Sequence, residues 1–466
     1  MNIEPLKAAL AGLKIIDNPN LVRLKSRDAF YFSPILKPEL DHVIADLVVV
    51  PTTEDEVLTT IRACFANDVP VTVRGGGTGN YGQAMPLSGG VVLDLSELTE
   101  IISIAPGSVT AQSGAIISDI DKATRAHSGQ ELRMHPSTAH TATIGGFVAG
   151  GSSGIGSIQW GGLRDPGNII RLRVITMEAE PRIIELHGDD LQKVAHAYGT
   201  NGIITEVEMP LTAAYDWVDM IVEFDDFIEA TKYANDLGSQ DGILTKLISV
   251  IAAPIPFQTF KRHKKFMTEG KHVVLLMIAP HAMMPLLAFT AHYPGHVAFS
   301  SDQVEDLKGI PAVFELSWNH TTLRAMKVAP GMTYIQSLYP YPNQVELVAK
   351  TYQMFGDEVP HHLEFLRFDG NVTCFGLSMV RYSSDDRLNE IMRQHDDAGV
   401  PVFNPHRYTL EEGGMKQTDE LQLTFKKETD PKGLLNPGKM VAWDDPDFDY
   451  NDDKIYLYPG IKRAAI

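Results

Sequence analysis

Arg74-Gly-Gly-Gly-Thr-Gly-Asn-Tyr-Gly82 follows directly on Pro70-Val-Thr-Val-Arg74, a short β-branched run that reads as a strand. Consecutive glycines behind a strand permit positive φ and let several amide N–H groups converge on one concavity, the arrangement that receives a pyrophosphate. Two familiar phosphate motifs fail here. A P-loop needs a Lys after its second glycine, and none follows. Gly77-Thr-Gly-Asn-Tyr-Gly82 has dinucleotide-fingerprint spacing, but Gln83-Ala-Met-Pro-Leu-Ser-Gly-Gly90 cannot continue as the core helix that fingerprint requires.

Upstream, Asp46-Leu-Val-Val-Val50 reads as a strand stopped by Pro51. Thr53-Glu-Asp-Glu56 has capping-box spacing, and Val57, Ile61, Cys64 and Phe65 recur at helical intervals. The domain therefore opens β-α-β, with the glycine loop after the second strand. Downstream, Gly90–Asp94, Ile101–Gln112, Ile169–Met177 and Ile203–Leu211 read as strands, and Ile116–Ala126 as a helix. Between them lies a second stretch rich in glycine and hydroxyls and free of charge, Pro136-Ser-Thr-Ala-His-Thr-Ala-Thr-Ile-Gly-Gly-Phe-Val-Ala-Gly-Gly-Ser-Ser-Gly154. Two such stretches in one domain imply close backbone approach to a large ligand.

Near Tyr215 the glycine clusters end. Strand-like runs (Met220–Glu223, Val273–Ile278, Thr333–Leu338, Glu364–Phe368, Thr373–Val380) then alternate with helical ones (Phe227–Asn235, Asn343–Phe355, Asp386–Asp397), which predicts a second, α+β domain. A last helix is expected over Lys416–Lys427. The expected division is a first domain over 1–215, a cap over 216–405, and a segment over 406–466 that returns to the first domain.

The formal net charge of −19 argues against nucleic acid and against an anionic membrane surface as partners. Two cysteines, Cys64 and Cys374, are no disulfide framework, and Cys374 reads as core. Met1–Lys14 reads as a short amphipathic helix instead of a signal peptide, and no run approaches a membrane span, so a cytoplasmic protein is expected.

Arg74-Gly-Gly-Gly-Thr-Gly79, Pro136-Ser-Thr138, Thr143-Ile-Gly-Gly146, Gly162-Leu-Arg-Asp165 and Gly199-Thr-Asn-Gly-Ile-Ile-Thr205 occur in order. Together they resemble the FAD domain of the vanillyl-alcohol oxidase/p-cresol methylhydroxylase superfamily. Thr429-Asp-Pro-Lys-Gly-Leu-Leu-Asn-Pro-Gly-Lys439 is similar to the ending of its glycolate oxidase and D-lactate dehydrogenase branch. The resemblance covers about 46–211 and 408–440. It implies an α+β chain: a two-subdomain, p-cresol methylhydroxylase-type FAD module under an antiparallel-sheet cap.

By that resemblance Arg74, Gly75, Gly76, Gly77, Thr78 and Gly79 wrap the FAD pyrophosphate, with Asn80, Tyr81 and Gln83 beside them. Pro136, Ser137, Thr138, Thr143, Ile144, Gly145, Gly146 and Ala149 line the flavin and ribityl chain, and Gly151, Ser153, Gly154 and Gly156 continue that wall. Gly202, Ile203 and Ile204 pack on the adenosine side, and Asn436 and Lys439 return near the cofactor. Relatives with covalent flavin often carry His where Thr78 stands, so non-covalent FAD is expected. The branch's metal-binding His-x-Gly-Asp-Gly-Asn-x-His appears here as Leu366-Arg-Phe-Asp-Gly-Asn-Val-Thr373, without either histidine, and its Glu-His-Gly as Glu411-Glu-Gly413; no metal is expected.

The flavin reaction needs a group that removes an O–H or N–H proton while hydride leaves. His320 and Arg324, four residues apart, would share a helix face, as a base beside a carboxylate-binding cation. His406 and Tyr408 in Asn404-Pro-His-Arg-Tyr408 stand where the chain re-enters the first domain. Glu412, of the pair Glu411-Glu412, is a further candidate base. Tyr334 and Arg367 are weaker candidates, and His361-His362 reads as surface. The expected reaction is oxidation of an alcohol or 2-hydroxy acid to a carbonyl product, with oxygen or an electron-transfer partner as acceptor. An aromatic alcohol or alkylphenol is the alternative substrate, and a flavoprotein that only relays electrons is the non-catalytic alternative. A homo-oligomer is compatible with the sequence.

Overall fold

The computed structural model describes residues 4–449 and 454–461. Its first sheet runs in the order Ile15–Ile16, Leu47–Val49, Val91–Asp94, Val71–Arg74, the last three parallel. Leu47, Val48 and Val49 are fully buried, which a parallel strand covered on both faces requires. Helix Glu54–Ala66 connects the outer pair of parallel strands, with Val91–Asp94 inserted between them. Its N-terminus departs slightly from the capping box. Thr53 Oγ accepts from the Glu56 amide at 3.2 Å, but Glu56 reaches back one residue further, to the Thr52 amide at 2.6 Å.

The second sheet is antiparallel, in the order Ile101–Ala105, Ser108–Gln112, Ile203–Ala213, Arg171–Ile175, Ile183–His187, with Gln130–Leu132 also pairing Ile203–Ala213. The charge-free stretch folds against it as the short helix Ile144–Gly150, capped by Thr143 Oγ. The C-terminal segment comes back beside the first sheet. The Val71 amide donates to Leu434 O, and the Asn436 amide donates to Val71 O, so the chain end is hydrogen-bonded to the strand that launches the glycine loop.

Between these segments in sequence lies a seven-stranded antiparallel sheet: His296–Ser300, Val218–Phe224, His272–Ile278, Thr245–Ile251, His362–Phe368, Asn371–Gly376, Ser337–Tyr339. Several expectations change here. Thr333–Leu338 is two strands, Met332–Tyr334 and Ser337–Tyr339. Thr373–Val380 likewise splits, and its second part pairs with Met332–Tyr334 in a separate ribbon. Thr245–Ile251 has no clean apolar signature, because Lys246 and Ser249 interrupt it; both are buried and bonded, to Glu131 and Glu364. His361 and His362 are fully buried, not surface. Cys64 and Cys374 are free and buried in two different apolar clusters. The last helix starts at Glu420 instead of Lys416, because Asp419 caps it through the Gln422 amide.

Among the described residues no helix is long and apolar enough to cross a membrane. Asp369-Gly370 is a two-residue hairpin turn between His362–Phe368 and Asn371–Gly376, with φ of +50° and +79°. That is the primed-turn geometry which Asp-Gly adopts most readily, and it gives this remnant of the metal motif a backbone role. Asp369 pairs with Arg164 across the turn. Among the described residues no group of three or more His, Cys, Asp or Glu side chains is arranged to hold a metal.

Candidate cofactor and substrate site

A long cavity runs from the first sheet to the cap. Counting the part open to solvent, it takes in about 1430 Å³. One wall is Arg74–Gly79 with Asn80, Tyr81, Gln83 and Asp28. The opposite wall is Pro136, Thr138, Thr143, Gly145, Gly146, Ala149, Gly151 and Ser153, with Gly202 and Ile204 deeper in. The cap closes the far end with Trp318, Asn319, Gln336 and Leu377, joined by Met415 and Leu457 from the C-terminal segment.

Glycine is required by contact as well as by φ. The two walls touch behind the loop: a Cβ on Gly76 would strike the carbonyl oxygen of Thr141, and one on Gly75 would strike Thr143 Oγ. The loop is also anchored from outside. Arg74 donates to Arg27 O at 2.5 Å, the Ala29 amide donates to Gly79 O at 2.7 Å, and the Ala84 amide donates to Asp28 Oδ2 at 3.2 Å. Burial raises the Asp28 carboxyl, and the nearby Lys439 and Arg74 oppose that shift. Burial holds Arg74 below its ordinary value, with Asp94 and Asp28 opposing.

His196 and Tyr198 form part of the floor in left-handed backbone conformations, φ +48° and +52°. Their amides donate to Val148 O and Ala149 O, which fixes the turn against helix Ile144–Gly150. Arg74 Nε, Ser113 Oγ, His196 Nε2, Tyr198 Oη and Trp318 Nε1 belong to lining residues and have no hydrogen-bond partner among the described residues. Buried polar atoms normally find partners, so five orphans around one glycine-walled cavity fit a polar, nucleotide-sized guest.

Residues 45–185 match the family described as FAD binding domain. This part of the chain is an FAD-binding domain. A D-lactate dehydrogenase of Archaeoglobus fulgidus is 29% identical over 175 residues, 35% of this chain and 38% of that protein. The glycolate oxidase protein GlcD of Bacillus subtilis is 30% identical over 177 residues, 36% of this chain and 37% of the relative. The match thus spans under two fifths of these relatives. A solved alkyldihydroxyacetonephosphate synthase superposes with a TM-score of 0.71 at 16% identity, covering 94% of this chain and 84% of that one, and this likeness shows the fold. The resemblance to the vanillyl-alcohol oxidase/p-cresol methylhydroxylase superfamily, and to its glycolate oxidase and D-lactate dehydrogenase branch, is supported by these matches.

Seven of the residues assigned to the FAD-binding site from the sequence stand off the cavity wall. Ser137, Ile144 and Ile203 are buried behind it. Gly154 and Gly156 are glycine because Cβ atoms there would meet the carbonyls of His135 and Arg133. Asn436 and Lys439 support the wall from behind: Asn436 Nδ2 donates to Gln83 O and Tyr198 O, and Lys439 Nζ donates to Gly82 O at 2.6 Å. The sequence reading missed Asp28, Ser113, His196, Tyr198, Trp318, Asn319, Gln336, Leu377, Met415 and Leu457.

None of the five candidate catalytic residues lines the cavity. His320 and Arg324 do share a face of helix Asn319–Val328, but both turn toward Glu315 O, and Arg324 Nε donates to it at 3.3 Å. Burial, then Arg324, push His320 down to about 4. Glu412 is exposed and accepts from Thr409 Oγ at 2.7 Å. Tyr408 lies beneath the Lys439 ammonium, 4.8 Å from its ring centre.

His406 is a joint. Its Nε2–H donates to Tyr334 O at 2.8 Å, so Nδ1 accepts from Ser33 Oγ at 2.7 Å, and both ring nitrogens are occupied. Burial holds it at about 4 against an ordinary 6.5. Below pH 6.5 the unfolded chain takes up a proton that the native ring refuses, so the stability contributed by His406 falls from pH 6.5 down to about 4. By about pH 5 that loss is about 2 kcal/mol. His406→Gln is expected to be less stable than the parent at about pH 7, yet to lose less stability between about pH 7 and about pH 5, as read by calorimetric melting at both pH values.

Two bonds tie the glycine loop to the cap. Asn80 Nδ2 donates to Tyr334 Oη at 2.8 Å, and Tyr81 Oη donates to Gln336 Oε1 at 2.6 Å. Trp318, which lines the same cavity as Gln336, takes φ +52°, ψ −140°. A bulky aromatic residue there is an outlier, strained by roughly 1–3 kcal/mol.

Proposed function

We propose that the chain is an FAD-dependent oxidoreductase that oxidises an alcohol to a carbonyl product. Residues 1–215 and 406–466 would hold FAD non-covalently, and residues 216–405 would cover it. The observation that carries this reading is the continuity of one cavity from the glycine loop to Trp318, Asn319, Gln336 and Leu377 of the cap. Bound there, FAD supplies the hydride acceptor. The chain's own tasks are to cradle the diphosphate on Gly75–Gly79, to exclude water through the two loop-to-cap bonds, and to orient the substrate oxygen with Asn319 and Gln336.

The cap end carries no Lys or Arg among its lining residues, and Arg324 is engaged by Glu315 O. A 2-hydroxy acid would bring a carboxylate into a wall with no cation to pair it. This favours an uncharged alcohol, aromatic or alkylphenol substrates included, over the hydroxy acids named for the relatives. Oxygen or an electron-transfer partner would reoxidise the flavin.

The test is an anaerobic screen of alkanols, aromatic alcohols, alkylphenols and hydroxy acids, read as bleaching of the oxidised flavin band. An uncharged alcohol is expected to bleach it. Bleaching by hydroxy acids alone would replace the uncharged substrate with an anionic one. A flavin reduced by dithionite but by no member of the screen would leave the electron-relay reading in place of catalysis.

A further inference from the structure

Glu364 sits in the middle strand region of the cap sheet, fully buried, behind the cavity wall. Three donors converge on its Oε1: Ser249 Oγ–H at 2.9 Å, the Trp318 amide at 2.5 Å, and His362 Nε2 at 2.6 Å. They come from two strands and from the start of helix Asn319–Val328. His362 is itself fixed to the wall, since its carbonyl accepts from the amide of Leu377, a lining residue. Thr321, close after Trp318 in the same helix, reaches His362 Nε2 at 3.5 Å.

Two costly features therefore meet at one point. A carboxylate buried in an apolar sheet is unfavourable unless donors surround it, and an apolar residue would serve the sheet better. A tryptophan at φ +52° is unfavourable where a glycine would satisfy the backbone. Neither is explained by the fold alone, but each explains the other if the indole must stand at the cavity wall, where Trp318 is found. Departures from local preference that are held by a dedicated network concentrate at functional positions.

We propose that Glu364 is a positioning residue that acts through Trp318. Its carboxylate holds the Trp318 amide, which fixes the indole as the wall against which the non-reacting, apolar part of an uncharged alcohol packs. The proposal rests on the oxidoreductase reading above. It makes Trp318 the specificity-determining residue, with Ser249 and His362 completing the clamp.

The test uses the FAD-loaded protein and two probes, 1-butanol and benzyl alcohol, each titrated against the visible spectrum of the oxidised flavin. Glu364→Ala is expected to weaken probe binding at least tenfold and to shift the emission assigned to Trp318 by difference from Trp318→Phe, while FAD content is retained. Glu364→Gln keeps an oxygen acceptor for the Trp318 amide and is expected to restore both. Trp318→Leu, with the clamp intact, is expected to show the same tenfold loss, and it carries the test if Glu364→Ala fails to fold. Wild-type affinity in Trp318→Leu, or unchanged emission and affinity in Glu364→Ala, overturns this proposal alone. A wild-type protein that binds neither probe and is bleached by no alcohol overturns the oxidoreductase reading with it.

Discussion

Gly76→Val will purify as a folded but colourless protein. The valine Cβ would be driven into the carbonyl oxygen of Thr141, an atom of the opposite backbone that cannot rotate aside. The two cavity walls would have to separate, and the amides of the glycine loop would leave the positions that suit a diphosphate. Strand Val71–Arg74 and its bonds to Leu434 and Asn436 lie outside the collision, so the fold should survive. The control is Gly242→Ala, where a Cβ meets nothing within 4 Å and the backbone is ordinary. FAD released into the supernatant after acid precipitation measures the outcome. The parent and Gly242→Ala should release one equivalent, as a non-covalent flavin must, and Gly76→Val under a tenth of that. A yellow Gly76→Val protein of parental flavin content would remove the loop from the cofactor site.

The loop could be read in advance because its chemistry is backbone chemistry. Runs such as Arg74–Gly79 and Thr143–Gly146 advertise the absence of side chains, and the structure places them face to face. Cap residues such as Trp318, Gln336 and Leu377 carry no such mark. They come from three separate segments, and only the fold of the sheet brings them to one end of the cavity.

The candidate bases are titratable residues in suggestive company, but company in sequence is local. His320 and Arg324 are neighbours on a helix face, as their spacing implies, but that face turns to Glu315 O. His406 stands at the re-entry point, and its two nitrogens are taken up in joining Ser33 to Tyr334 O. His361-His362 looks like surface because paired histidines in isolation are polar. Partners hidden in distant elements, Thr351 for His361 and Glu364 for His362, make their burial tolerable. The strand Thr245–Ile251 is masked in the sequence for the same reason: its lysine and serine are satisfied by partners elsewhere in the chain.

Asp430→Ala should be the most destabilising substitution outside the cavity. Lys426 is buried, and its ammonium has three acceptors: Asp430 Oδ2 at 2.5 Å, Thr200 O at 2.7 Å and Leu435 O at 3.3 Å. Asp430 in turn accepts from the amides of Leu434 and Leu435 at 2.9 and 2.8 Å, the stretch that lies beside Val71. Removing the carboxylate leaves a buried cation and two unpartnered amides, a loss of about 3–5 kcal/mol. Burial already depresses the Lys426 ammonium, and Asp430 opposes that shift, so the variant would hold its lysine still lower. The C-terminal return should loosen first, because these bonds are its tie to the strand that opens the glycine loop. Thermal melting and limited proteolysis should show a lowered midpoint and early cleavage within about 416–440, with flavin lost in parallel. Lys426→Met combined with Asp430→Asn removes the stranded charge and keeps one oxygen acceptor, enough for one of the two amides, and should recover part of the midpoint. Equal melting of Asp430→Ala and the parent would show that the pair contributes nothing to holding the chain end in place.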